Sequence, residues 1–402
     1  MSINSLKIVS LLALLSASYS SFGQNQFTGA NAGRAPLPSV PFLKVAPDAR
    51  GAAMGDAGVA TSGDANAMYW NPAKLATLDK SAGMSFTYTP WLRQLVNDMT
   101  IYYLTGYKKV GKNQAIGVAI NYFDQGVFNA TTSNGTAAGD YYSRDFAASV
   151  TYSTKLTQKM AAGVSLRYIN SNPAGNVIIN GVALKPATTA AADVAIYYNS
   201  NNPDRQMNWG WGVNISNIGG QVSYGGASKN YIPTNIRLGT ASTYKIDQYN
   251  KIVLAIDFNK LMIPTPPVYD NAGNITAGNK NYKTQTTLQG ILGSFADAPD
   301  GLKEEFQEIA TSIGAEYWYN DAFAARLGFH SENAIKASNQ TYFSAGFGAK
   351  IANKYALDFA YLLPTGGQNS PLANTLRISL LFNFDKKDRA ADNAADETDS
   401  SK

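Results

Sequence analysis

The sequence contains no cysteine and a single histidine, and it has no run rich in lysine or arginine. Without cysteine the chain forms no disulfide, supports no thiolate chemistry and accepts no lipid anchor of the bacterial lipoprotein type. After residue 23 there is no stretch of roughly 20 apolar residues, which excludes a helical membrane protein. The formal charge of +5 is scattered along the chain, so the sequence predicts no nucleic-acid partner.

The first 23 residues have the features of a secretory signal peptide. Lys7 precedes the apolar run 8–15, and small residues lead to Gly23. We therefore expect export, with a mature chain that begins at Gln24. At the other end, residues 385–402 form a charged tail rich in alanine and aspartate, without an apolar face. For this tail the sequence predicts disorder in the periplasm.

Between residues 81 and 384 apolar residues alternate with polar or small ones in successive short segments. This period of two is typical of membrane-spanning strands, and bacterial barrels need an even number of them. The fold class predicted is therefore all-β, a transmembrane antiparallel β-barrel of about 14 strands. The segments lie at 84–88, 100–108, 116–122, 146–152, 164–168, 194–198, 209–215, 236–244, 252–258, 313–319, 323–329, 343–347, 355–361 and 376–384.

Charged residues in these segments fall between the aromatic and branched residues. Because lipid would make each charge cost about 2–4 kcal/mol at mid-membrane, we expect them to face the lumen. Both signs occur, which favours a filled, cross-braced lumen over an ion pore. The predicted lumen charges are Arg167, Arg237, Asp257, Glu316, Arg326, Asp358 and Arg377.

Short and long connections alternate between the segments. Short ones lie at 112–113, 246–250, 320–321 and 352–354, and long ones include 124–141 and 260–307. Outer-membrane barrels keep short turns in the periplasm and long loops outside, so we expect both termini in the periplasm. A water-soluble β-sandwich is the alternative fold, and it gives no reason for this alternation.

The connection from Lys260 to Gln307 is longer than joining two strands requires. It combines three prolines and a polar stretch with a short acidic helix near residues 299–306. Connections of this length are usually functional or disordered. We interpret it as an extracellular docking element, whose apolar residues contact a partner or the rim of the barrel itself: Leu302, Phe306 and Ile309.

A stretch dominated by glycine and alanine, Val45–Ala76, precedes the first strand segment. Its small side chains support neither a broad apolar helix face nor an alternating strand, so it must pack inside another structure. A flexible surface linker is the alternative. Because the predicted lumen needs filling, we expect residues 24–80 to form a periplasmic segment and a hatch that plugs the barrel.

Three short runs in this stretch resemble a known family. They are Ala-Pro-x-Ala-Arg-Gly at 46–51, Ala-Met-Gly-x-Ala-Gly at 53–58 and Asn-Pro-Ala at 71–73. The runs resemble the N-terminal hatch of the PorV (LptO) family, outer-membrane proteins of the type IX secretion system within the FadL-like group of fourteen-stranded barrels. The tail beyond Phe384 departs from the family pattern, in which the barrel ends on an aromatic residue. The hatch residues that carry the resemblance are Pro47, Arg50, Gly51, Met54, Gly55, Gly58, Asn71 and Pro72.

This resemblance implies a secretion component that is not an enzyme and has no cofactor. Proteins of the family act with the large translocation pore and receive cargo proteins through their C-terminal signal domains. The cargo then passes to a surface complex that cleaves the signal and attaches the cargo to lipopolysaccharide. The implied partners are the pore protein, the cargo signal domains, the attachment complex, and outer-membrane lipid with lipopolysaccharide.

Two other functions remain open. A FadL-like transporter of hydrophobic small molecules would need an apolar pocket near the outer mouth and a lateral gap in the wall. A lipopolysaccharide deacylase would need a nucleophile beside a base. The one histidine, His330, is followed by Ser331, whose side chain points to the opposite face of a strand. We expect His330 to lie exposed at the outer end of a strand, where a lone histidine is more often a loop residue than a catalyst, and we predict neither catalytic residues nor a metal site.

Overall fold

A computed structural model of the chain describes residues 38–93, 98–131, 137–173, 178–179, 182–200, 202–225, 229–270, 273–282, 284–299, 301–333, 340–352, 354–365 and 375–385. The predicted signal peptide and the tail from residue 386 onward lie outside these ranges.

Fourteen antiparallel strands form a closed barrel, as the sequence predicts. Each strand pairs with the next, and the first closes against the last with Ala82 opposite Phe384. All fourteen predicted segments lie in these strands. The strands are β1 (Ala82–Pro90), β2 (Thr100–Val110), β3 (Gln114–Thr131), β4 (Ala137–Lys155), β5 (Met160–Asn172), β6 (Ala187–Asn199), β7 (Met207–Gly219), β8 (Asn235–Lys245), β9 (Asn250–Leu261), β10 (Ala310–Tyr319), β11 (Phe323–Ser331), β12 (Thr341–Ile351), β13 (Tyr355–Pro364) and β14 (Leu376–Phe384).

The strands expose their apolar residues on the outer face. Val150 and Leu166 are 63% and 71% exposed, whereas the adjacent Thr151 and Ser165 are buried on the inside. So large an apolar belt is tolerated only where lipid covers it. No helix within the described ranges is long and apolar enough to cross a membrane.

The two ends of the barrel differ in their connections. Turns of three to seven residues join the strands at 111–113, 156–159, 200–206, 246–249, 320–322 and 352–354. We call this end, where the chain also enters β1 and leaves β14, the turn end, and the opposite end the loop end.

One predicted loop at the loop end is wrong. Residues 124–141 were expected to form a long connection, but β3 continues to Thr131 and β4 already starts at Ala137. The ladder continues past a bulge between Asp124 and Val127, so the two strands extend beyond the rest of the barrel as a hairpin. The outward alternation is preserved there by Val127 and Tyr142, both exposed.

The long connection between β9 and β10 carries structure of its own. A small hairpin pairs Val268–Tyr269 with Ile275–Ala277, and two helices follow at Thr287–Gly293 and Leu302–Gln307. The second helix agrees with the helix predicted near 299–306. The first was missed, although Thr286 and Gln289 form a capping box that signals it in the sequence. A further small hairpin pairs Ile178–Ile179 with Val182–Ala183 in the connection between β5 and β6.

The residues before β1 fill the lumen. They form a 3₁₀ helix at Pro41–Lys44, helix α1 at Ala49–Ala53, helix α2 at Ala67–Trp70 and a 3₁₀ helix at Pro72–Thr77. Helix α1 packs against β11–β14, while the segment 72–77 packs against β2–β6. The two helices of the long connection are α3 (Thr287–Gly293) and α4 (Leu302–Gln307). We refer to the described residues 38–80 as the hatch.

Candidate functional site

Two glycines bring the backbone of the hatch close to the backbone of the wall. Gly55 has a φ of +65°, and a Cβ added to it would lie 2.5 Å from the backbone nitrogen of Phe329. A Cβ added to Gly328 on the wall would lie 2.0 Å from the nitrogen of Gly55. Because backbone meets backbone here, a side chain on either residue would push the two apart.

Two further glycines of the hatch enclose the indole of Trp70. A Cβ on Gly51 would lie 2.2 Å from Cζ2 of that ring, and a Cβ on Gly58 would lie 2.3 Å from Cδ2. The indole Nε1 donates to Asp48 at 2.6 Å, and Asp48 also caps α1 by accepting from the Gly51 amide at 2.8 Å. Trp70 was missed at the sequence level, although it is a large residue between small-residue motifs.

A chain of four charges fixes α1 to the wall. Arg50 donates from Nε and Nη2 to the two carboxylate oxygens of Glu316, each at 2.9 Å. Arg326 donates from Nε to Glu316 at 3.0 Å and from Nη1 to Asp358 at 2.7 Å. Arg50 also reaches Asp64 within the hatch at 3.2 Å. Since Glu316 and Arg326 are buried, removing one member leaves its partners with uncompensated charge.

Two more lumen charges bind the hatch directly. The Asp257 carboxylate accepts from the amides of Gly58 at 2.7 Å and Val59 at 2.8 Å. The Arg237 guanidinium donates to the Tyr69 hydroxyl at 3.0 Å and lies over the Tyr69 ring, 4.7 Å from its centroid. Hydrogen bonds with one charged member are the stronger kind, so these contacts hold the hatch in one position.

Three wall serines bind hatch backbone as well. Ser379 accepts from the Ala49 amide at 2.9 Å, Ser344 from Gly55 at 3.0 Å and Ser153 from Ala76 at 3.1 Å. These contacts give buried amides of the hatch a partner on the wall, although the Gly55 amide also donates to the Ala52 carbonyl at 3.1 Å. They account for small polar residues at inward positions of three strands.

The Asn-Pro-Ala run starts the last hatch helix and rests on β5. Asn71 caps this helix by accepting from the Ala73 amide at 3.0 Å, and its Nδ2 donates to the Ile196 carbonyl at 3.0 Å. A Cβ on Gly163 would lie 2.6 Å from the carbonyl carbon of Pro72, which occupies the first helical turn. The remaining motif residues are buried: Pro47 lies just before α1, and Met54 packs against Gly314.

Burial changes the protonation of hatch groups. It raises the pKa of Asp48 to about 6, with nearby Asp64 adding to the effect, and it lowers the pKa of Lys74 to about 8. The Lys74 ammonium donates to the Gly58 carbonyl at 2.6 Å. Burial alone would lower the pKa of Arg50, but the Glu316 carboxylate raises it overall, so this guanidinium stays charged.

The last two predicted lumen charges do not bond to the hatch. Arg167 donates to Asp193 at 2.7 Å, an inward carboxylate that the sequence reasoning did not select. Arg377 is almost fully buried, and its Nε and Nη1 have no hydrogen-bond partner among the described residues. All seven predicted charges therefore lie on the lumen side, and five of them belong to contacts or ionic chains that reach the hatch.

His330 lies at the end of a strand, as expected, but its predicted exposure is wrong. It is buried on β11 because that strand continues to Ser331 and places residue 330 on the inside. Its Nδ1 lies 2.9 Å from the Ser312 hydroxyl, directly across the ladder, and its ring stacks on Tyr342. In the sequence, the serine next to His330 is Ser331. In the structure, the serine that contacts His330 is Ser312, which lies opposite it on the neighbouring strand. Within the described ranges no three potential ligands are grouped to hold a metal ion.

Outside the lumen, α4 lies over the outer wall near the loop end. Leu302 and Phe306 are 74% and 71% exposed, and Ile309 is partly buried. With Leu238 and Phe258 of the lipid-facing surface they border an apolar cavity of about 270 Å³. Lys260, at the loop end of β9, anchors the helix by pairing with Glu305 at 2.8 Å and with Glu308.

A closed fourteen-stranded barrel with an apolar outer belt and a lumen filled by the preceding residues defines an outer-membrane β-barrel protein with an internal hatch. The chain belongs to the family described as Type IX secretion system protein PorV, whose model matches residues 29–268. The resemblance drawn from the hatch motifs is thereby confirmed. A search of curated proteins found no match.

Several solved structures are similar to this chain, and one of them reaches a TM-score of 0.50. The toluene transporter TodX of P. putida is 12% identical, with 84% of this chain and 98% of that chain covered and a TM-score of 0.50. The Ralstonia pickettii toluene transporter TbuX is 15% identical with the same coverage and a TM-score of 0.47. A Pseudomonas aeruginosa FadL homologue is 9% identical, again covering 84% and 98%, with a TM-score of 0.44. At these identities the likeness concerns the fold alone.

Proposed function

We propose that this protein binds type IX cargo through the cargo's C-terminal signal domain at the translocation pore and passes it to the surface attachment complex. The family assignment supplies the secretion system. The observation that supports a binding role, as opposed to a conducting one, is the bonded hatch. Two cavities in and beside it measure about 20 and 10 Å³, enough for a water molecule at most, while a larger one of about 510 Å³ lies on its turn-end side.

With the lumen filled, partners must bind the outer surfaces. We place the turn end and both termini in the periplasm and the loop end outside the cell. The exposed apolar residues of α4 then face the cell exterior, where a protein surface can cover them. The lipid-facing wall is the surface proposed to dock the pore protein.

Changing Leu302 and Phe306 together to serine should reduce co-purification of cargo and pore protein by about tenfold, because buried aromatic and aliphatic anchors dominate interface affinity. The matched control is Leu292→Ser on α3, which removes an equally exposed leucine that does not border the cavity. Quantitative mass spectrometry of affinity-purified membranes measures the effect. Equal capture by both variants would show that the loop only covers the barrel, and the other outer loops would have to be tested.

A transporter of hydrophobic small molecules is a second candidate, favoured by the apolar cavity of about 270 Å³ at the outer wall. Transport requires a path past the hatch, and the hatch is held to the wall by the ionic chain and the hydrogen bonds described above. Vesicles containing the protein should accumulate labelled toluene no faster than empty vesicles. Faster uptake that is lost when Leu238 is changed to tryptophan would favour transport.

A lipopolysaccharide deacylase is the third candidate, favoured by the hydrogen bond between Ser312 and His330. A nucleophile needs substrate access, but both residues are buried on the lumen face. We expect Ser312→Ala and His330→Ala to leave lipid A acylation and cargo secretion unchanged, as measured by mass spectrometry of extracted lipid A. Altered acylation in both variants, but not in Ser331→Ala, would instead establish the hydrolase.

A further inference from the structure

The turn end of the barrel opens into a cavity of about 510 Å³ that is lined by lysines. Four of them occupy the inward position nearest the turn end on β4, β8, β9 and β12. The other two lie at the end of the hatch and in the turn between β4 and β5. We call this cavity the lysine vestibule, after Lys80, Lys155, Lys159, Lys245, Lys251 and Lys350.

Positive charge exceeds negative charge in the vestibule. Among the described residues that line it, eight are cationic and three are carboxylates. Two of these carboxylates, Asp64 and Asp358, already pair with arginines of the ionic chain that holds the hatch. The excess charge therefore belongs to the lysines, and a cleft with low-dielectric walls strengthens its attraction for an anion.

Three of the lysines are grouped on one side of the vestibule. Lys245 and Lys251 lie directly opposite each other in the ladder of β8 and β9. Lys251 and Lys350 approach the same Trp318 ring, with their ammonium groups 5.6 and 4.1 Å from its centroid. Lys245 donates to the Pro203 carbonyl at 2.7 Å, a partner without charge. Like charges directly opposite in a ladder destabilise a sheet, so an added anion would stabilise this group.

Counter-charges in the described part of the chain serve two of the six lysines. Lys251 pairs with Asp321, and Lys80 pairs with Asp385 at 2.7 Å. The other four have no carboxylate within ion-pair distance among the described residues, and the vestibule offers their ammonium groups to a ligand. They are Lys155, Lys159, Lys245 and Lys350.

The spread of the lysines around the wall selects an extended anion. In the closed barrel β4, β8 and β12 follow one another at intervals of four strands, which correspond to roughly 19 Å along the wall at about 4.8 Å per strand. A compact anion such as phosphate therefore reaches only one side of the vestibule. An extended chain advances about 3.3 Å per residue, so about six to eight residues reach from Lys155 to Lys350.

We propose that the lysine vestibule binds an extended acidic segment of another protein at the turn end of the barrel. Its carboxylates supply counter-charge to lysines on different sides of the lumen at once. A cavity of about 510 Å³ receives part of an extended chain but no folded domain. Lysines suit such a segment because each is a flexible point charge that requires no fixed geometry of its partner. The proposal goes beyond the cargo function proposed above and does not depend on it.

Fluorescence anisotropy of a labelled octaglutamate peptide with the purified full chain in detergent tests the proposal. We expect saturable binding at about 50 mM salt that weakens at least about tenfold at about 0.5 M, because salt screens charges in an open cleft. Octaglutamine has the same backbone without the charges and should not bind. Inorganic phosphate that displaced octaglutamate at an equal concentration would show that a compact anion suffices, which would overturn the proposal.

A pair of matched variants locates the binding charge. The variant K245Q/K251Q/K350Q should bind octaglutamate at least about tenfold more weakly than the wild type. The control K185Q/K229Q/K303Q removes the same charge from exposed residues in connections at the loop end, and it should bind as the wild type does. Equal loss in both variants, or loss in neither, would overturn the proposal.

Carbodiimide cross-linking of isotope-labelled octaglutamate to the wild-type chain provides a measurement that alters no lysine. The reagent joins carboxylates to amines only when they touch. We expect cross-links from the peptide to Lys155 and Lys350, on different sides of the lumen, and few to Lys303, which is exposed on α4 at the loop end. Cross-links to Lys303 as frequent as those to the vestibule would contradict the proposal.

Discussion

Changing Gly55 to alanine should release the hatch from the wall, with hydrogen exchange in residues 49–58 at least about tenfold faster. Two costs add at this position. The backbone has a φ of +65°, which costs an L-residue about 1–2 kcal/mol, and the new Cβ would lie 2.5 Å from the Phe329 nitrogen. Overpacking against rigid backbone costs about a further 1–3 kcal/mol.

Gly111→Ala is the matched control for this change. Gly111 has a similar φ of +73° and nothing within 4 Å of an added Cβ, so it isolates the backbone cost from the contact. We expect Gly111→Ala to leave hatch exchange at the wild-type rate. A bulkier Gly55→Leu should also raise the conductance of single barrels in planar bilayers. Identical exchange in the two alanine variants would show that the glycine contact does not hold the hatch.

Changing Glu316 to glutamine should weaken hatch docking by about 3 kcal/mol, the typical cost of breaking a buried ion pair from one side. The substitution keeps the shape but leaves Arg50 and Arg326 sharing only Asp64 and Asp358 as counter-charges. Hydrogen exchange of α1, together with the urea midpoint of the purified barrel, measures the loss.

Asp321→Asn is the comparison for Glu316→Gln, because the Asp321 side chain is 69% exposed in its pair with Lys251. Exposed pairs contribute little, so this variant should behave as the wild type. The double variant Glu316→Gln with Arg50→Met should recover part of the lost protection, since it removes one of the unpaired charges. If Glu316→Gln protected α1 as well as Asp321→Asn does, the ionic chain would not be what holds the hatch.

The strands could be predicted because lipid and lumen impose opposite demands on alternate residues. Leu166 and Arg167, for instance, need different surroundings, and a slip by one residue would exchange them. The extended hairpin of β3 and β4 was missed because the polar and glycine-containing residues after Asp124 look like loop although they still pair. The helix at Thr287–Gly293 was missed for a similar reason. The residues before it are polar and look like loop, so the capping box of Thr286 and Gln289 was not recognised.

The contacts of the hatch could not be predicted in the same way. Asp257 binds the Gly58 amide from 199 residues away, and Ser344 binds Gly55 from 289 residues away. No local rule relates such positions, and strand register decides which inward residue meets which part of the hatch. His330 shows the same limit, because its partner Ser312 is identified by the ladder and not by the neighbouring sequence.

The hatch precedes β1 in the sequence but contacts strands from both ends of the barrel. Residues 72–77 rest on β2–β6, whereas α1 rests on β11–β14, the strands made last. The seam between β1 and β14 joins the first strand to the last and completes the wall around the hatch. Contacts between the two extremes of the chain form slowly, because a long loop has to be closed first. We therefore expect the hatch, which contacts both early and late strands, to favour closure of the barrel around it.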